Sequence, residues 1–204
     1  MRTYVLAAVA AIPLLVFTPV RNAKPGPLTD RERATLVTDL EASRERFLQS
    51  IAGLTEAQWN FKPAPERWSI AQVAEHLTLV DQGLVGMVKG PLLGTPEVAP
   101  LAGDSVEQGL KAFYLDRSKK FPSPEGFVPT GRFANRAALL AAYNGARGQT
   151  LEHVKTTMDP IRWHRLEHPL GMLDGYQWLT ILAPHSDRHL MQIEEVKKAP
   201  GYPM

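Results

Sequence analysis

Three histidines have the types and spacing of a metal site. His185 and His189 are four residues apart in a stretch with helical periodicity, and this spacing places two imidazoles one above the other on one helix face. His76 follows Val73 by three residues, so it shares the apolar face of a second predicted helix. If these helices are neighbours, the three imidazoles can hold one ion from one side and leave coordination positions open for water or substrate.

An ion held in this way supports two kinds of chemistry. It can lower the pKa of a coordinated water to about 7, or it can hold a thiol as the thiolate beside an electrophile. Three imidazoles suit zinc, nickel, iron and copper, so the sequence predicts a divalent transition metal without identifying it. The HExxH motif of zinc proteases is absent, because Ser186 occupies the position of the glutamate.

The three histidines also have a simpler interpretation. HxxxH pairs are common on solvated or core-edge helix faces, and the histidines could pack in the interior and bind nothing. Burying three imidazoles without partners would be costly, which favours the metal site. A general base is not identifiable: Asp81, Asp187 and Gln192 are candidates by position only, and we expect each on the surface or behind the ligands.

The remaining histidines and the tryptophans are weaker candidates. We expect His153 on the solvated surface, His164 in a polar loop, and His168 as a structural histidine or a hydrogen-bond donor behind the ligands. The tryptophans are expected in the core or lining a cavity, and two of them flank the ligand-bearing helices and could wall the pocket. The four are Trp59, Trp163 and the flanking pair Trp68 and Trp178.

Two capping boxes mark the first two helices that must position these side chains. Thr29 and Glu32 begin a helix whose apolar residues recur at helical spacing until Gly53. Ser69 and Gln72 begin the second helix, which carries His76 and ends near residue 90. The intervening link contains two prolines that oppose a continuing helix.

Two further helices are predicted after a long connection. Residues 90–131 are rich in glycine and proline, and indicate a crossover or cover with one short helix at 105–115 that is not a core element. Helix three is predicted over about 135–158. Helix four is predicted over about 174–198 and carries the HxxxH pair, with a kink at Pro184 just before His185.

The periodicity predicts an all-α fold class. No stretch alternates like a strand, and no internal repeat or low-complexity tract is present. The architecture expected is a four-helix bundle with a long middle crossover.

Composition limits the partners and the ligand types. The 204 residues suffice for one domain with a sizeable core. Lys and Arg total 23 and Asp and Glu total 21; residues 1–23 hold two of the basic residues and no acidic one, so the remainder is formally neutral. Because nucleic-acid binding requires a basic surplus, we expect no nucleic-acid partner.

The chain has no cysteine, which excludes disulfides, thiolate ligands and a cysteine nucleophile.

The N-terminal residues form a separate segment. Arg2 precedes an apolar run over residues 4–17 that has the length of a signal-peptide core and is shorter than the ~20 residues of a membrane span. We therefore expect residues 1–27 to be a signal peptide, or an N-terminal anchor, with a linker. Residues 28–204 would form the exported helical domain, in contact with a membrane only if the first segment is uncleaved.

Three segments resemble a known family. They are PAPERWSIAQVAEHL (residues 63–77), HPLGMLDGYQWL (168–179) and HSDRHLMQI (185–193). Occurring together in this order, they are similar to the DinB/YfiT-like superfamily of bacterial helical bundles, and the resemblance covers nearly all of residues 30–197.

The resemblance implies a ligand set and a topology. The histidine of the first segment and the two of the last, here His76, His185 and His189, would bind a divalent metal. An up-down-down-up bundle and frequent homodimers are also implied. The chain departs from the family in two ways: members often have a further histidine near the position of Arg188, and the usual member is cytoplasmic and lacks an export segment.

Two functions remain open at this point. The resemblance implies a metal-dependent enzyme, either a hydrolase or a thiol S-transferase, acting on a small molecule that the sequence does not identify. Export would favour water activation, because thiol cofactors are scarce outside the cytoplasm. The alternative is a non-catalytic metal-binding or stress-associated envelope protein, which the missing general base favours.

Overall fold

The protein is built almost entirely from helices. The computed structural model describes residues 24–100 and 104–204. Residues 1–23 of the predicted signal peptide or anchor lie outside the described residues. Among the described helices, none is long and apolar enough to cross a membrane. In chain order the elements are α1 (Asp30–Ser50), α2 (Glu56–Asn60), α3 (Ile70–Lys89), α4 (Ser105–Leu115), α5 (Arg136–Thr156), β1 (Arg165–His168), β2 (Gly171–Asp174), α6 (Gly175–Thr180) and α7 (Leu182–Lys197), with short 3₁₀ turns at Pro91–Gly94, Glu125–Phe127 and Ile161–Trp163.

The first two long helices begin at the predicted caps. At α1, the Thr29 side chain accepts a hydrogen bond from the Glu32 amide, and the Glu32 carboxylate accepts one from the Thr29 amide. Ser69 and Gln72 form the same reciprocal pair at α3. Both capping boxes are confirmed, and each satisfies two backbone donors that a helix start would otherwise leave free.

The helices α1, α3, α5 and α7 form a four-helix bundle in which α1 and α3 each pack against both α5 and α7. Arg33, near the start of α1, donates to the carbonyl of Thr157 after the end of α5, so these two helices are antiparallel. Lys197, at the end of α7, donates to the carbonyl of Ser50 at the end of α1, so this pair is parallel. Arg67, just before α3, donates to Glu195 near the end of α7, whereas Asp81, farther along α3, and Ser186, near the start of α7, share Arg147, so α3 and α7 are antiparallel. The predicted up-down-down-up order is confirmed.

A buried polar layer divides the core into two apolar clusters. Each long helix contributes one residue to it: Ser43, Asp81, Arg147 and Ser186. The Arg147 guanidinium donates to Asp81 Oδ2 at 2.9 Å, to Ser43 Oγ at 3.1 Å and to Ser186 Oγ at 3.1 Å. One side chain therefore connects all four helices of the bundle.

The long connection contributes more than a cover. Its predicted short helix is confirmed as α4, which packs against α6 and α7. The expectation that it lies outside the core was wrong, because Leu110 is buried in one of the apolar clusters.

A β-hairpin was missed by the sequence analysis. β1 and β2 pair antiparallel, with Arg165 opposite Asp174 and His168 opposite Gly171. Gly171 has a φ of +116°, a conformation that favours glycine and that closes the turn. Neither strand alternates apolar and polar residues along its whole length, since Met172 and Leu173 are adjacent and β1 has a single apolar residue, which is why none was recognised.

The predicted fourth helix is two helices. α6 and α7 are interrupted at Ile181, earlier than the predicted kink just before His185. Pro184 has no N–H to donate to the carbonyl of Thr180, and its ring would clash with that carbonyl. The regular pattern resumes where His185 N donates to Ile181 O at 2.9 Å.

Candidate metal site

The structure brings the three predicted histidines together. His76 Nε2 lies 3.3 Å from His185 Nε2, and His189 Nε2 lies 3.2 Å from the same atom. The three ligand atoms all lie within 4.8 Å of one another, and no carboxylate belongs to the group among the described residues. His76 comes from α3 and the other two from α7, so the site forms where these antiparallel helices pack.

Hydrogen bonds at Nδ1, on the side of the ring away from the group, orient His76 and His189. His76 Nδ1 lies 2.8 Å from the carbonyl oxygen of Phe127, and His189 Nδ1 lies 2.8 Å from Gln192 Oε1. Because a carbonyl oxygen only accepts, each Nδ1 carries the proton in the neutral ring. Each Nε2 therefore presents its lone pair to the centre of the group.

Burial keeps the three rings neutral. It lowers the pKa of His76, lowers that of His185 well below its usual value and lowers that of His189 to about 3. The neighbouring imidazoles reinforce the effect on His185 and His189, since two positive rings would repel each other. Neutral imidazole is the form that ligates a metal, so no proton must be displaced at neutral pH.

The arrangement fits a divalent transition metal. A proton on His185 Nε2 could satisfy the lone pair of His76 or that of His189, but not both. At least one buried lone pair therefore faces the group without a donor, which is unfavourable unless a cation shares the space. Imidazole nitrogens are common ligands of zinc, nickel, iron and copper.

Aromatic side chains enclose the group. The Trp68 ring lies 5.0 Å from that of His76 and is stacked with His189 at 6.3 Å, measured between centroids. Tyr114, on α4, lies edge-on to His185 at 5.7 Å. Trp68 thus walls the site as the sequence analysis allowed. Trp178 packs instead on His168, at 5.1 Å.

Sequence reasoning missed the turn that carries the Phe127 carbonyl. The Glu75 carboxylate accepts hydrogen bonds from the amides of Thr130, Gly131 and Arg132 at 2.9–3.1 Å. Glu75 immediately precedes His76, so α3 holds in place the turn that orients its own histidine. The signal available in the sequence was a glutamate on the apolar face of a helix.

Sequence reasoning also missed Arg188 as an anchor of α4. Its guanidinium donates to the carbonyls of Tyr114, Asp116 and Lys119 at the end of that helix. Arg188 lies between His185 and His189 of α7. The same helix that bears the imidazoles therefore fixes the segment that bears Tyr114.

None of the three general-base candidates is a free base at the site. Asp81 is paired with buried Arg147, and Asp187 forms a bidentate pair with Arg46 on another face of α7. Gln192 lies behind His189, as expected for a residue that supports a ligand. Within residues 24–100 and 104–204, the three imidazoles and the groups that orient them are joined by no carboxylate positioned to accept a proton.

The other histidines are separate from the group. His153 is buried and not on the solvated surface as predicted, because it shares a face of α5 with buried Thr150 and Ala146. His164 Nδ1 lies 2.7 Å from the Thr95 carbonyl oxygen, and this ring does not belong to the three-histidine group. His168 is buried beside Tyr114.

A cavity of about 810 Å³ is lined by residues of other elements and of another face of α7, and the three imidazoles are not among its walls. Its walls include Pro184 and Asp187, which face away from His185 and His189 on α7. The candidate metal site is a compact group between helices and not part of this cavity.

Comparisons with known proteins agree with this architecture. The model of a family described as the DinB superfamily matches residues 39–193. The uncharacterized protein YuaE of Bacillus subtilis (strain 168) is 26% identical over 149 residues, covering 72% of this chain and 88% of YuaE.

Two solved structures share the fold. YfiT from Bacillus subtilis, described as a probable metal-dependent hydrolase with an unusual four-helix bundle topology, has a TM-score of 0.55 and 17% identity, covering 92% of this chain and 95% of YfiT. The four-helix bundle protein TT2238 has a TM-score of 0.50 and 21% identity, covering 80% of this chain and 98% of TT2238. At these identities the likeness shows the fold alone.

Proposed function

The chain belongs to the DinB superfamily, and we propose that it binds one divalent transition-metal ion through His76, His185 and His189 and uses this ion in hydrolysis of a small molecule. The observation that carries the proposal is that the three Nε2 atoms converge. The Nε2 lone pairs of His76 and His189 are directed into this group by the hydrogen bonds at their Nδ1 atoms. The description of YfiT as a probable metal-dependent hydrolase supports the same direction.

Hydrolysis is proposed because the ligands approach from one side. Three imidazoles from two helices leave coordination positions open, which is typical of catalytic and not of structural sites. A bound divalent ion supplies Lewis acidity and activates water. The protein's own contribution is to fix the rings through Phe127 and Gln192 and to exclude bulk water with Trp68.

A non-catalytic metal-binding protein is the second candidate function. It is favoured by the fact that both candidate carboxylates, Asp81 and Asp187, are committed to ion pairs with arginines. In that case the protein would hold an ion in the envelope without turnover. Thiol transfer remains the other chemistry that such a site supports, and it requires a thiol co-substrate that an exported protein would rarely meet.

Metal analysis tests the ligand set. The chain is purified without a histidine tag and compared with H185Q/H189Q and with H153Q/H164Q, which removes two buried histidines elsewhere. We expect about one equivalent of a transition metal in the parent and in the control, and none in H185Q/H189Q. Circular dichroism verifies that all three are folded. Failure of the parent to bind any metal added by titration would contradict the proposal.

Turnover separates the two candidate functions. The metal-loaded chain is assayed against panels of esters, amides and phosphoesters, and against thiol-transfer pairs. Hydrolysis that is lost in H185Q/H189Q and kept in H153Q/H164Q supports the enzyme. Tight metal binding with no metal-dependent turnover in either panel supports the non-catalytic protein.

Export is proposed on the sequence pattern alone. Arg2 and the apolar run at residues 4–17 would direct the chain out of the cytoplasm. Fractionation of cells expressing the full chain, with mass spectrometry of its N-terminus, tests this. A chain found in the cytoplasm with residue 2 intact would contradict export and would make thiol transfer the better chemistry.

A further inference from the structure

The hairpin fixes which nitrogen of His168 carries the proton. The amide N–H of Leu170 donates to His168 Nδ1 at 3.1 Å, so this nitrogen must present a lone pair. A doubly protonated ring could not accept this bond, and the neutral ring must carry its proton on Nε2. The tight turn between β1 and β2 thus makes His168 Nε2 a donor.

This tautomer determines the role of Tyr114. His168 Nε2 lies 3.1 Å from the Tyr114 hydroxyl oxygen, and because Nε2 carries the proton, the hydroxyl accepts. The hydroxyl proton of Tyr114 is then not used in this bond. Among the described residues, no other group forms a hydrogen bond with this hydroxyl.

The same tyrosine lies against the candidate metal site. Its ring stands edge-on to His185, with centroids 5.7 Å apart and planes at 82°. Arg188 donates to the carbonyls of Tyr114 and Asp116, at 3.2 Å and 2.6 Å, and so fixes the end of α4 against α7. His168 therefore holds the Tyr114 hydroxyl, while the Tyr114 ring packs against His185.

We propose that Tyr114 donates a hydrogen bond to an oxygen of the substrate bound at the three-histidine site, and that His168 is the positioning residue that makes Tyr114 a donor. The proposal rests on the proposed function and names the substrate class, an ester or amide whose carbonyl oxygen accepts this bond while water displaces the alcohol or amine and leaves a carboxylate. A single donor aimed at such an oxygen stabilises the charge that develops on it during acyl transfer. The Phe113 ring packs on Phe121, with centroids 4.7 Å apart, and lies edge-on to His168 at 6.4 Å, which adds apolar surface beside the hydrogen-bonded pair.

The protonation of His168 is tested without metal. Long-range ¹H–¹⁵N correlation spectra of the metal-free full-length chain distinguish the two neutral tautomers, with H168Q identifying the signals. We expect the proton on Nε2 and a changed Nε2 shift in Tyr114→Phe. A proton on Nδ1 would overturn the proposal, because Tyr114 would then donate to His168 and have no proton for substrate.

Binding of a small carboxylate tests the donor. The full-length chain is loaded with Co²⁺ and titrated with acetate while its visible spectrum is recorded. Tyr114→Phe should weaken acetate binding by roughly tenfold or more, as expected for loss of a hydrogen bond to a charged group. Tyr202→Phe is the matched control: it removes another buried hydroxyl, on a ring that packs on Phe61, and should bind acetate like the parent.

Variants of His168 test positioning separately. His168→Leu removes the Nε2 donor and should weaken acetate binding, whereas His168→Gln, whose amide can donate to the same hydroxyl, should restore most of it. If the parent binds Co²⁺ but Tyr114→Phe binds acetate as well as the parent, the inference fails and the proposed function stands. If the parent binds no Co²⁺, the proposed function fails and the inference fails with it.

Discussion

At the scale of single residues, the candidate site depends on groups that touch its ligands from behind. Gln192 Oε1 accepts from His189 Nδ1 at 2.8 Å and so fixes both the rotation and the tautomer of that ring. Support of this kind usually matters for metal affinity almost as much as the ligands do, because a ring that can rotate or change tautomer is a weaker ligand.

Replacing Gln192 should therefore weaken metal binding. Gln192→Leu keeps the approximate shape but removes the acceptor, and we expect metal affinity to fall about 10–100-fold while the fold is retained. Competition with a chromophoric chelator measures the affinity. Gln82→Leu, a substitution at an exposed position of α3, is the control and should bind metal like the parent. Equal affinities of the two variants would show that Gln192 does not orient His189.

The sequence identified the three histidines that cluster but not the groups that orient them, and distance along the chain explains why. His185 and His189 are one helical turn apart, and His76 follows the period set by Val73, so local periodicity suffices to find all three. The Phe127 carbonyl comes from a turn 51 residues away, and Tyr114 comes from α4. Contacts of this range depend on how the long connection folds over the bundle.

At the scale of elements, the turn at Glu125–Phe127 packs directly against α3. A Cβ at Gly83 would lie 2.4 Å from Cε1 of Phe127, whereas a Cβ at Gly86, one turn along the same helix, meets no other atom within 4 Å. The absence of a side chain at Gly83 allows the ring to pack directly on the helix. The carbonyl of the same residue then reaches His76.

The two glycines provide a matched pair of substitutions. Gly86→Ala should stabilise the protein by up to about 1 kcal/mol, because alanine is the better helix former. Gly83→Ala gains the same propensity but must displace the Phe127 ring, which costs about 1–3 kcal/mol, and metal affinity should fall. Urea unfolding and metal titration measure both effects. Equal stability and equal affinity in the two variants would mean that Phe127 repacks without consequence for His76.

Glu75 holds the loop at residues 130–132, which follows this turn. Its carboxylate accepts from three consecutive amides, those of Thr130, Gly131 and Arg132. Glu75→Gln removes the charge from these bonds, each of which contributes about 1.5–3 kcal/mol when the acceptor is ionised. Amide exchange at the three residues should accelerate at least tenfold, as measured by hydrogen exchange. Glu66→Gln, at an exposed position, should leave their exchange unchanged; a similar rate in both variants would contradict this role.

The elements that sequence reasoning placed correctly are those with strong local signals. Thr29–Glu32 and Ser69–Gln72 mark α1 and α3 because a capping box is a purely local structure. The interruption at Ile181 was misplaced, because the effect of Pro184 is exerted on the carbonyl four residues earlier. His153 was misjudged from its charged chain neighbours, although its neighbours on the helix face are buried.

At the scale of the whole molecule, the buried polar layer sets how the four helices align. Arg147 is 0% exposed and Asp81 is 1% exposed, and their side chains meet at 2.9 Å between two apolar clusters. Sliding one helix by a turn would bury one of these charges against aliphatic side chains, at a cost of several kcal/mol. The layer also contains Ser186, which follows His185, so the same register that brings Ser186 to Arg147 places His185 beside His76.

A double-mutant cycle on this pair tests that argument. Asp81→Leu and Arg147→Met should each destabilise the protein by about 3–5 kcal/mol, because each leaves one charge buried and unpaired. The double variant leaves no such charge, so its loss should be well below the sum of the two. Urea unfolding of the four proteins measures the coupling, and metal titration of the double variant shows whether register survives without the charges.

The exposed pair Lys155–Glu41 joins α5 to α1, with its charged atoms 3.1 Å apart, and supplies the control. Both side chains are about half exposed, so water replaces the partner that a mutation removes. Lys155→Met should therefore cost less than about 1 kcal/mol. Strictly additive losses at Asp81 and Arg147, or a loss at Lys155 as large as theirs, would mean that burial does not decide the energetics of these pairs. The register of the bundle would then have to come from its apolar packing.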